Sequence, residues 1–379
     1  MSITAPEGFR AAGISAGIKG SGRLDLAVVV ADEAVPAAGV FTQNRAAAAP
    51  VVLSRAHLAA AGRARAILLN SGCANAATGQ RGSQAAEATT GAVASSLGCP
   101  PTEVLAMSTG PIGSYLDSDG VVARVPDLVG QASRAGGAAA AEAILTTDSR
   151  TKTVIVNGSN FVLGGMAKGA AMLRPDMATM LAVLTTDAAA QAATLQEVLA
   201  EAAAVTFNSL NVDGCESTND SLVLLASGRA GPVSESELKE GVVKACSALA
   251  LEMAADAEGA SKTVRILVTG ADDDLLARQV GKAVSDSALV RASFYGADPN
   301  WGRILAAIGT CPVDIDQVSI SYQSVPVFHN GSPVERFELD GLLDSDFLVQ
   351  VDLGPGSGRA EIITTDLTPE YVRFNGERS

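Results

Sequence analysis

Short apolar segments alternate with Ala-rich segments through the first half of the chain, and this alternation restricts the fold more than any other feature. Residues 26–30 and 66–69 are continuous apolar runs, which are typical of strands buried on both faces. Residues 83–97 and 136–144 are rich in small residues and predict helices, the first of which ends at Gly98. The first half is therefore expected to alternate strands with helices.

Hairpin signals interrupt this alternation. Asn157-Gly158 separates two short apolar runs, and Asn330-Gly331 has the type I′ turn composition. Four strands are predicted near the C terminus, at residues 318–322, 325–328, 347–353 and 361–365. Pro326 would confine the second of them to a sheet edge. Mixed βα units and hairpins favour α+β layers over a doubly wound parallel sheet.

A helix is predicted behind Ser234, which has capping-box spacing with Glu237. The apolar face of this helix comprises Leu238, Val242, Cys246, Leu249 and Met253. Further strands are expected at residues 222–226 and 264–268, and further helices at residues 188–205 and 272–284.

Residues 177–184 allow two interpretations. The run is rich in Ala, Leu and Met, which is typical of the first turns of a buried helix. The same run places Thr179 directly after the small residue Ala178, downstream of Lys168. Cleavage between Ala178 and Thr179 would give the threonine a free α-amine, so that nucleophile and base would lie on one residue.

Few other nucleophile systems can be built from this composition. The chain has only two histidines, His57 in a predicted helix and His329 at the predicted turn. A Ser-His-Asp or Cys-His system would need one of these two residues. A zinc site of several histidines is excluded, and we predict no metal site.

The net charge and the cysteine pattern exclude further classes of function and indicate a compartment. The net charge of −14 argues against nucleic-acid binding, which needs clustered Lys and Arg. Five widely spaced cysteines without a Cys-x-x-Cys pair suit free thiols in a reducing cytoplasm. No apolar run reaches the roughly 18 residues of a membrane helix, and no signal peptide is predicted. We therefore expect a cytoplasmic protein without membrane or nucleic-acid partners.

Several polar segments could carry chemistry. Residues 108–113 follow an apolar strand, and their glycine-flanked turn suits an oxyanion hole or an ordinary strand end. Residues 70–79 could bind a ligand or satisfy their own backbone, whereas residues 211–220 favour a structural turn. Residues 298–303 hold the only Trp and predict either carboxylate binding by an arginine or a packed turn. Glu258 and Lys262, one helical turn apart, predict an exposed ion pair.

Taken in order, these segments resemble the ornithine acetyltransferase family of arginine biosynthesis over the whole chain. The matching motifs are Gly39-Val40-Phe41-Thr42, the 70–79 loop, Ser108-Thr109-Gly110, Thr146-Thr147-Asp148, Lys168-Gly169, Ala178-Thr179-Met180, Leu184-Thr185-Thr186-Asp187, Ser217-Thr218-Asn219-Asp220, Glu258-Gly259, Asp298-Pro299-Asn300-Trp301-Gly302-Arg303 and Tyr371-Val372 with Asn375. Each motif alone is weak, but their joint order is specific.

The resemblance implies an α+β fold of stacked β-sheets sandwiched by helices, similar to the β-peptidyl aminopeptidases and to N-terminal-nucleophile hydrolases. It also implies self-cleavage between Ala178 and Thr179. The products would be an α chain of residues 1–178 and a β chain of residues 179–379. Together they would form one catalytic unit, assembled as α2β2.

The implied reaction is acetyl transfer from N2-acetylornithine to glutamate by a ping-pong route. Thr179 would be the nucleophile, and Thr109 and Gly110 would form the oxyanion hole. The residues implied for substrate binding are Thr146, Thr147, Lys168, Thr179, Glu258, Asn375 and Ser379. No cofactor is implied, with acetyl-CoA as an alternative acetyl donor.

Three other functions remain open on the sequence. The same scaffold could act as an amidase or aminopeptidase that passes the acyl group to water. A paralogue could serve secondary metabolism with a different acceptor. An unprocessed relative could bind amino-acid ligands without catalysis.

Overall fold

The computed structural model describes residues 2–172 and 180–377. The strands are β1 Phe9–Ile14, β2 Leu26–Phe41, β3 Arg63–Ser71, β4 Val104–Thr109, β5 Lys152–Asn157, β6 Val162–Lys168, β7 Leu181–Ala189, β8 Leu210–Asn211, β9 Ser221–Pro232, β10 Thr263–Ala271, β11 Ser319–Tyr322, β12 Val325–His329, β13 Ser332–Pro333, β14 Phe347–Asp352 and β15 Gly358–Thr365. The α-helices are α1 Ala49–Ala61, α2 Gly79–Leu97, α3 Ser118–Gly130, α4 Gly137–Ala143, α5 Ala192–Val205, α6 Glu235–Ala254, α7 Asp274–Asp286, α8 Ala288–Tyr295, α9 Trp301–Ile308 and α10 Pro369–Gly376. Short 3-10 helices lie at Pro101–Glu103, Phe207–Ser209 and Ile315–Gln317.

The chain forms two compact units. Unit 1 comprises Met1–Phe207 and Cys215–Met253, and unit 2 comprises Asn208–Gly214 and Ala254–Ser379. These units are not the two chains expected from cleavage, because unit 1 includes sequence on both sides of residue 178. The division into residues 1–178 and 179–379 therefore stays a prediction about processing.

Unit 1 contains two sheet layers that share the long strand β2. The strand order is β4-β3-β2-β9-β7-β6-β5, with β1 added on β2. The pairing of β2 with β3 shifts register between Val30 and Val35, and beyond this irregularity β2 pairs with β9. Ile67 and Leu105 of one layer share a buried core with Met166 and Val183 of the other. The layers therefore pack face to face, as in a β-sandwich.

Helices cover the outer faces of these layers. Val93 of α2 and Leu128 of α3 pack with Leu68 on one side. On the other side Gly165 of β6 makes room for α6, since a Cβ at Gly165 would lie 3.3 Å from Leu249 Cδ1. The predicted α+β fold of stacked sheets between helices is thus confirmed.

Unit 2 is built on one mixed sheet. Its strand order is β13-β12-β11-β14-β10-β15-β8, in which β10 pairs parallel with β14 and antiparallel with β15. Val280 of α7, Phe294 of α8 and Ile304 of α9 pack with strand residues such as Val268 and Val349 in its core. The helices and the sheet together bury the apolar residues of the C-terminal region.

Most of the predicted elements are confirmed. Residues 26–30 and 66–69 lie in β2 and β3, and residues 83–97 lie in α2, which ends in a left-handed Gly98 with φ 64°. The hairpin at Asn157 is the antiparallel β5–β6 pair. The Glu237 N–H donates to Ser234 Oγ at 3.2 Å, which confirms the start of α6.

The helical interpretation of residues 177–184 is wrong over its described part. Residues from Leu181 onward form β7, which lies between β9 and β6. Leu181–Ala188 is buried on both faces, so the strand shows no polar alternation that could separate it from a helix. The predicted helix at residues 188–205 begins only at Ala192, because Ala188 and Ala189 continue the pairing with β9.

Four smaller expectations can also be compared with the structure. Pro326 lies on β12, beyond which only the two-residue strand β13 pairs, so this strand is close to the edge of the sheet. The turn after His329 has φ 44° at Asn330 and φ 71° at Gly331, as a type I′ turn requires. No cysteine in residues 2–172 and 180–377 forms a disulfide. Among those residues, no helix combines the length and the apolarity that a membrane span needs.

Two glycine substitutions test the packing of unit 1. A Cβ at Gly13 of β1 would lie 2.1 Å from Ala139 O of α4, whereas a Cβ at Gly91 of α2 meets nothing within 4 Å. We expect Gly13→Ala to lower the free energy of unfolding by about 1–3 kcal/mol through overpacking. We expect Gly91→Ala to raise it by about 0.5–1 kcal/mol, because Ala is the better helix former. Urea unfolding of both variants checks this, and equal effects would contradict the described contact of β1 with α4.

Candidate active site

The ends of four strands meet at one edge of unit 1. In the first layer β3 and β4 end together, with Ser71 paired to Thr109. In the second layer the last residue of β6, Lys168, is paired to the first residue of β7, Leu181. Lys168 Nζ donates to Thr109 Oγ1 at 3.3 Å, and this hydrogen bond joins the two layers.

A buried carboxylate organises this edge. Asp148 follows α4, and its Oδ1 accepts from Lys152 Nζ at 2.7 Å and from the Gly169 N–H at 2.7 Å. Its Oδ2 lies 3.7 Å from Lys168 Nζ and accepts from the Thr146 N–H at 3.2 Å. The side chains of Asp148 and Lys152 are fully buried. Asp148 thereby fixes Lys168, the following residue Gly169 and the segment that carries Thr146.

The charge state of Asp148 follows from these contacts. Burial alone would raise the pKa of the Asp148 carboxyl, because it penalises the charged form. The positive charges of Lys168 and Lys152 and the hydrogen bonds outweigh burial, and together they hold the pKa of Asp148 well below its ordinary value. Asp148 is therefore an anion at neutral pH.

The turn after β4 has the geometry of a tightly packed backbone loop. Gly110 has φ 140°, and a Cβ there would lie 2.4 Å from Cys73 N. Only glycine fits both constraints. The Ala74 N–H donates to Pro111 O at 3.2 Å, and the Gly113 N–H donates to Ala76 O at 3.0 Å. The predicted oxyanion residues Thr109 and Gly110 are therefore held against the 70–79 loop.

Three polar side chains brace the same turn. Ser108 Oγ donates to Asn70 Oδ1 at 2.5 Å, and Asn70 Nδ2 donates to Cys73 O at 2.9 Å. Asn219 Nδ2 donates to Ala74 O at 2.7 Å and to Ser108 O at 2.8 Å. Because Asn219 is buried, its amide needs partners within the protein, and these two carbonyls provide them.

The residue that follows Thr179 in the sequence is anchored beside this network. The Met180 N–H donates to Asp220 Oδ1 at 2.8 Å, and the Ser221 N–H donates to Met180 O at 3.0 Å. Burial raises the pKa of Asp220 well above its ordinary value, while the hydrogen bond from Met180 and the charge of Lys168 act in the opposite direction. Both polar backbone groups of Met180 are thus held by the start of β9.

Unit 2 carries two of the predicted binding residues. Glu258 is buried in the turn after α6, and Asn375 is exposed on α10, where its Nδ2 donates to Tyr371 O at 3.0 Å. Thr368 Oγ1 donates to Gly259 O at 2.5 Å and caps α10 through the Tyr371 N–H. These bonds tie the Glu258 turn to the start of α10 within this unit.

The predicted ion pair of Glu258 with Lys262 on one helical face is wrong. The segment is a turn, and both side chains are buried. Lys262 Nζ donates to Phe294 O at 2.8 Å and to Tyr295 O at 3.2 Å, the carbonyls at the C-terminal end of α8. A cation is favourable there because these carbonyls carry partial negative charge.

Residues 298–303 run from the loop after α8 into the first turn of α9 in unit 2. Trp301 stacks on Phe328 with ring centroids 4.9 Å apart. The Arg303 guanidinium donates to Leu289 O at 2.8 Å. The packed Trp of the second interpretation is present, although at the start of a helix, and carboxylate binding by Arg303 stays a prediction.

The structure brings part of the predicted site together. Thr109, Gly110 and Lys168 lie at one edge of unit 1, with Thr146 linked to them through Asp148 and Thr147 half-buried beside it. Ala178, Thr179 and Ser379 lie outside the described residues. Among the described residues, no group of three or more His, Cys, Asp or Glu side chains could hold a metal ion.

Sequence reasoning missed four residues of this edge. Asp148 stood in a motif without an assigned role, and Lys152 was not singled out, because β5 is largely exposed and nothing in its sequence marks the lysine as buried. Asn219 and Asp220 were assigned only to a structural turn, and the sequence did not show that both are buried and bind the Ser108 carbonyl and the Met180 N–H.

Stacked sheets between helices, with a lysine–threonine contact and a glycine turn at one edge of unit 1, define an α+β protein with a preorganised polar site. The family model of the ArgJ family matches residues 10–379. The chain belongs to the ArgJ family.

Curated relatives match this chain over its full length. The "Arginine biosynthesis bifunctional protein ArgJ" of Mycobacterium tuberculosis is 47% identical over 100% of this chain and 96% of that protein. The protein of that name from Thermobifida fusca is 45% identical over 100% of both chains. A crystal structure of ornithine acetyltransferase from Mycobacterium tuberculosis, complexed with ornithine, is 44% identical, with a TM-score of 0.45 over 48% of this chain and 96% of that chain. The chain is accordingly an enzyme of arginine biosynthesis.

The buried charges at the site give a stability prediction. Asp148→Asn would remove the carboxylate that two buried ammonium groups contact, so we expect a loss of about 3–5 kcal/mol of unfolding free energy at pH 7. Because the pKa of Asp148 is depressed in the folded state, its contribution is fully present above the unfolded pKa of about 3.9, begins to fall below that pH, and is lost as pH falls through the lower folded pKa. The difference between wild type and variant should therefore shrink from pH 7 towards pH 3.

Urea unfolding across this pH range is the measurement. The control is Asp127→Asn, which breaks the exposed Arg124–Asp127 pair and should cost only about 0–1 kcal/mol. If the Asp148→Asn variant were as stable as the Asp127→Asn control at pH 7, the buried contacts of Asp148 with Lys152 and Lys168 would be contradicted.

Proposed function

We propose that this chain cleaves itself between Ala178 and Thr179 and then transfers an acetyl group from N2-acetylornithine to glutamate. The observation that carries the proposal is the contact of Lys168 with Thr109 at the edge where Met180, the neighbour of Thr179, is anchored. Membership of the ArgJ family supports the same reaction. The relative solved with bound ornithine supports ornithine as the product.

Cleavage would begin with attack of Thr179 Oγ on the carbonyl carbon of Ala178. The peptide nitrogen of Thr179 leaves as the acyl group moves to the hydroxyl oxygen, and water then hydrolyses the ester. The products are a carboxylate at residue 178 and a free α-amine on Thr179. A hydroxyl and an amine on one residue are a nucleophile and its base.

Transfer would use the same hydroxyl twice. Thr179 Oγ attacks the acetyl carbonyl of N2-acetylornithine while its α-amine takes the hydroxyl proton. The carbon–nitrogen bond breaks, the proton passes to the leaving nitrogen of ornithine, and an acetyl-threonine ester remains. The amino group of glutamate then attacks the ester and regenerates the hydroxyl. A terminal amine with a pKa of about 7.7–8.0 suits general base work near neutral pH.

The described residues supply the charges that this chemistry needs. Thr109 and Gly110 would hold the oxyanion, since both are fixed against the 70–79 loop before reaction. The Lys168 ammonium beside Thr109 would bind the substrate α-carboxylate. Glu258 would bind the side-chain ammonium of ornithine. Thr146, Thr147, Asn375 and Ser379 would complete the substrate contacts.

The wider expectations form part of the same proposal. The transfer needs no resident cofactor, because the amino-acid donor already carries the acetyl group, and acetyl-CoA would be the alternative donor. The two cleavage products would assemble as α2β2 in the cytoplasm. Amidase activity on the same scaffold would release ornithine without glutamate, so glutamate dependence of ornithine release separates these alternatives.

Replacing the nucleophile tests the first step. We expect Thr179→Ala to remain a single polypeptide and to lose acetyl transfer, because the variant has no hydroxyl. Thr179→Ser should still cleave, more slowly. Intact-mass measurement of the purified proteins reports cleavage, with a wild-type fragment that begins at Thr179. A Thr179→Ala variant that still transfers acetyl groups would refute the nucleophile.

Replacing Glu258 tests donor recognition. We expect Glu258→Gln to raise the KM for N2-acetylornithine about tenfold or more and to change the KM for glutamate much less, because glutamate has no side-chain ammonium. The control is Glu361→Gln, which breaks the exposed ion pair of Glu361 with Arg265 in the same unit and should leave both KM values unchanged. Equal increases for donor and acceptor would rule out this role for Glu258.

A further inference from the structure

Asp220 is a buried titratable residue to which the proposed reaction assigns no chemical role. Its side chain is fully buried at the start of β9. One carboxylate oxygen, Oδ1, accepts from the Met180 N–H at 2.8 Å. The other oxygen, Oδ2, has no hydrogen-bond partner among the residues that the structure describes. A buried carboxylate oxygen without a partner is costly, and such a group calls for a functional explanation.

The position of Asp220 bears on Thr179, because Asp220 anchors the next residue, Met180. Met180 is held at its N–H by Asp220 and at its C=O by the Ser221 N–H. Two covalent bonds separate the Met180 nitrogen from the α-carbon of Thr179, which carries both the hydroxyl-bearing side chain and, after cleavage, the α-amine. A group that fixes this nitrogen thereby limits where the nucleophile and its base can lie.

We propose that Asp220 positions Thr179 for catalysis: Oδ1 fixes the peptide nitrogen after the nucleophile, and Oδ2 accepts a hydrogen bond from the α-ammonium that cleavage creates. The inference rests on the proposed function, since it needs the new chain start. Asp220 takes no proton from the threonine hydroxyl. That proton moves to the α-amine, and Asp220 stabilises and orients the resulting ammonium.

The electrostatics of the pocket are consistent with a partner that appears only after cleavage. Burial raises the pKa of Asp220 well above its ordinary value. The charged groups acting on it are Lys168 on β6, which lowers this pKa, and Glu216 on the preceding loop, which raises it. A cation formed beside Oδ2 would favour the carboxylate, and by the same interaction the carboxylate would raise the pKa of the amine.

The test compares Asp220→Asn with wild type and with Asp187→Asn. Asn keeps the size of the side chain and an acceptor for the Met180 N–H, but it loses the negative charge. Asp187 is the matched control, because it is a buried carboxylate at the other end of β7 that accepts from the Val162 N–H at 2.7 Å and the Glu7 N–H at 3.3 Å. It anchors backbone in the same way, away from the strand end that follows Thr179.

For Asp220→Asn we expect kcat to fall about tenfold or more, with both KM values within about twofold of wild type. The acid limb of the pH profile of kcat/KM should move to lower pH by about one unit, because this limb reports the free amine and its neighbouring carboxylate is gone. Asp187→Asn should leave kcat and the acid limb unchanged. Thermal unfolding of each variant reports whether it is folded.

The outcomes separate this inference from the proposed function. A cleaved wild type together with an Asp220→Asn variant of unchanged kcat and unchanged acid limb would overturn the role of Asp220 alone. An active wild type that remains one uncut chain would overturn both. If Asp220→Asn folds but stays uncut, comparison with Asp187→Asn decides: cleavage of the control supports positioning by Asp220, and failure of both variants to cleave overturns it.

Discussion

The buried Asp148 carboxylate is the interaction on which the rest of the active-site edge depends. It binds Lys152, Lys168 and the Gly169 N–H at once, and these groups come from the two strands β5 and β6 and from the segment after them. Burying a carboxylate is unfavourable unless it is paired and hydrogen-bonded. Since both conditions are met, Lys168 is held where its ammonium reaches Thr109 in the opposite layer.

The two-layer architecture explains why one edge collects so many functional groups. β2 runs from the first layer into the second, and the layers share the core that contains Ile67 and Val183. Strand ends from both layers therefore meet at the same edge of unit 1. Polar residues in loops at strand ends can bind a substrate, while the strands behind them stay rigid.

The sequence predicted the layers and the polar loops, but it could not predict which distant residues the loop side chains bind. Residues 26–30, 66–69 and 264–268 were identified as strands because continuous apolar runs are distinctive when flanked by turns. The same pattern gave a wrong prediction at Leu181, because a strand buried on both faces has the same continuous apolar sequence as a buried helix. Asn219 and Asp220 were taken for turn residues because their partners, Ser108 and Met180, lie 111 and 40 residues away in sequence.

The pairing of β6 with β7 determines how strongly the two fragments of a cleaved chain would stay associated. These strands precede and follow Ala178–Thr179, and they are hydrogen-bonded from Leu163 opposite Thr186 to Lys168 opposite Leu181. β2 and β9, which also come from opposite sides of that bond, pair in the same sheet. A nicked molecule would therefore behave as complementary fragments: inseparable by gel filtration in native buffer, melting in one cooperative transition, and released from each other only by denaturant.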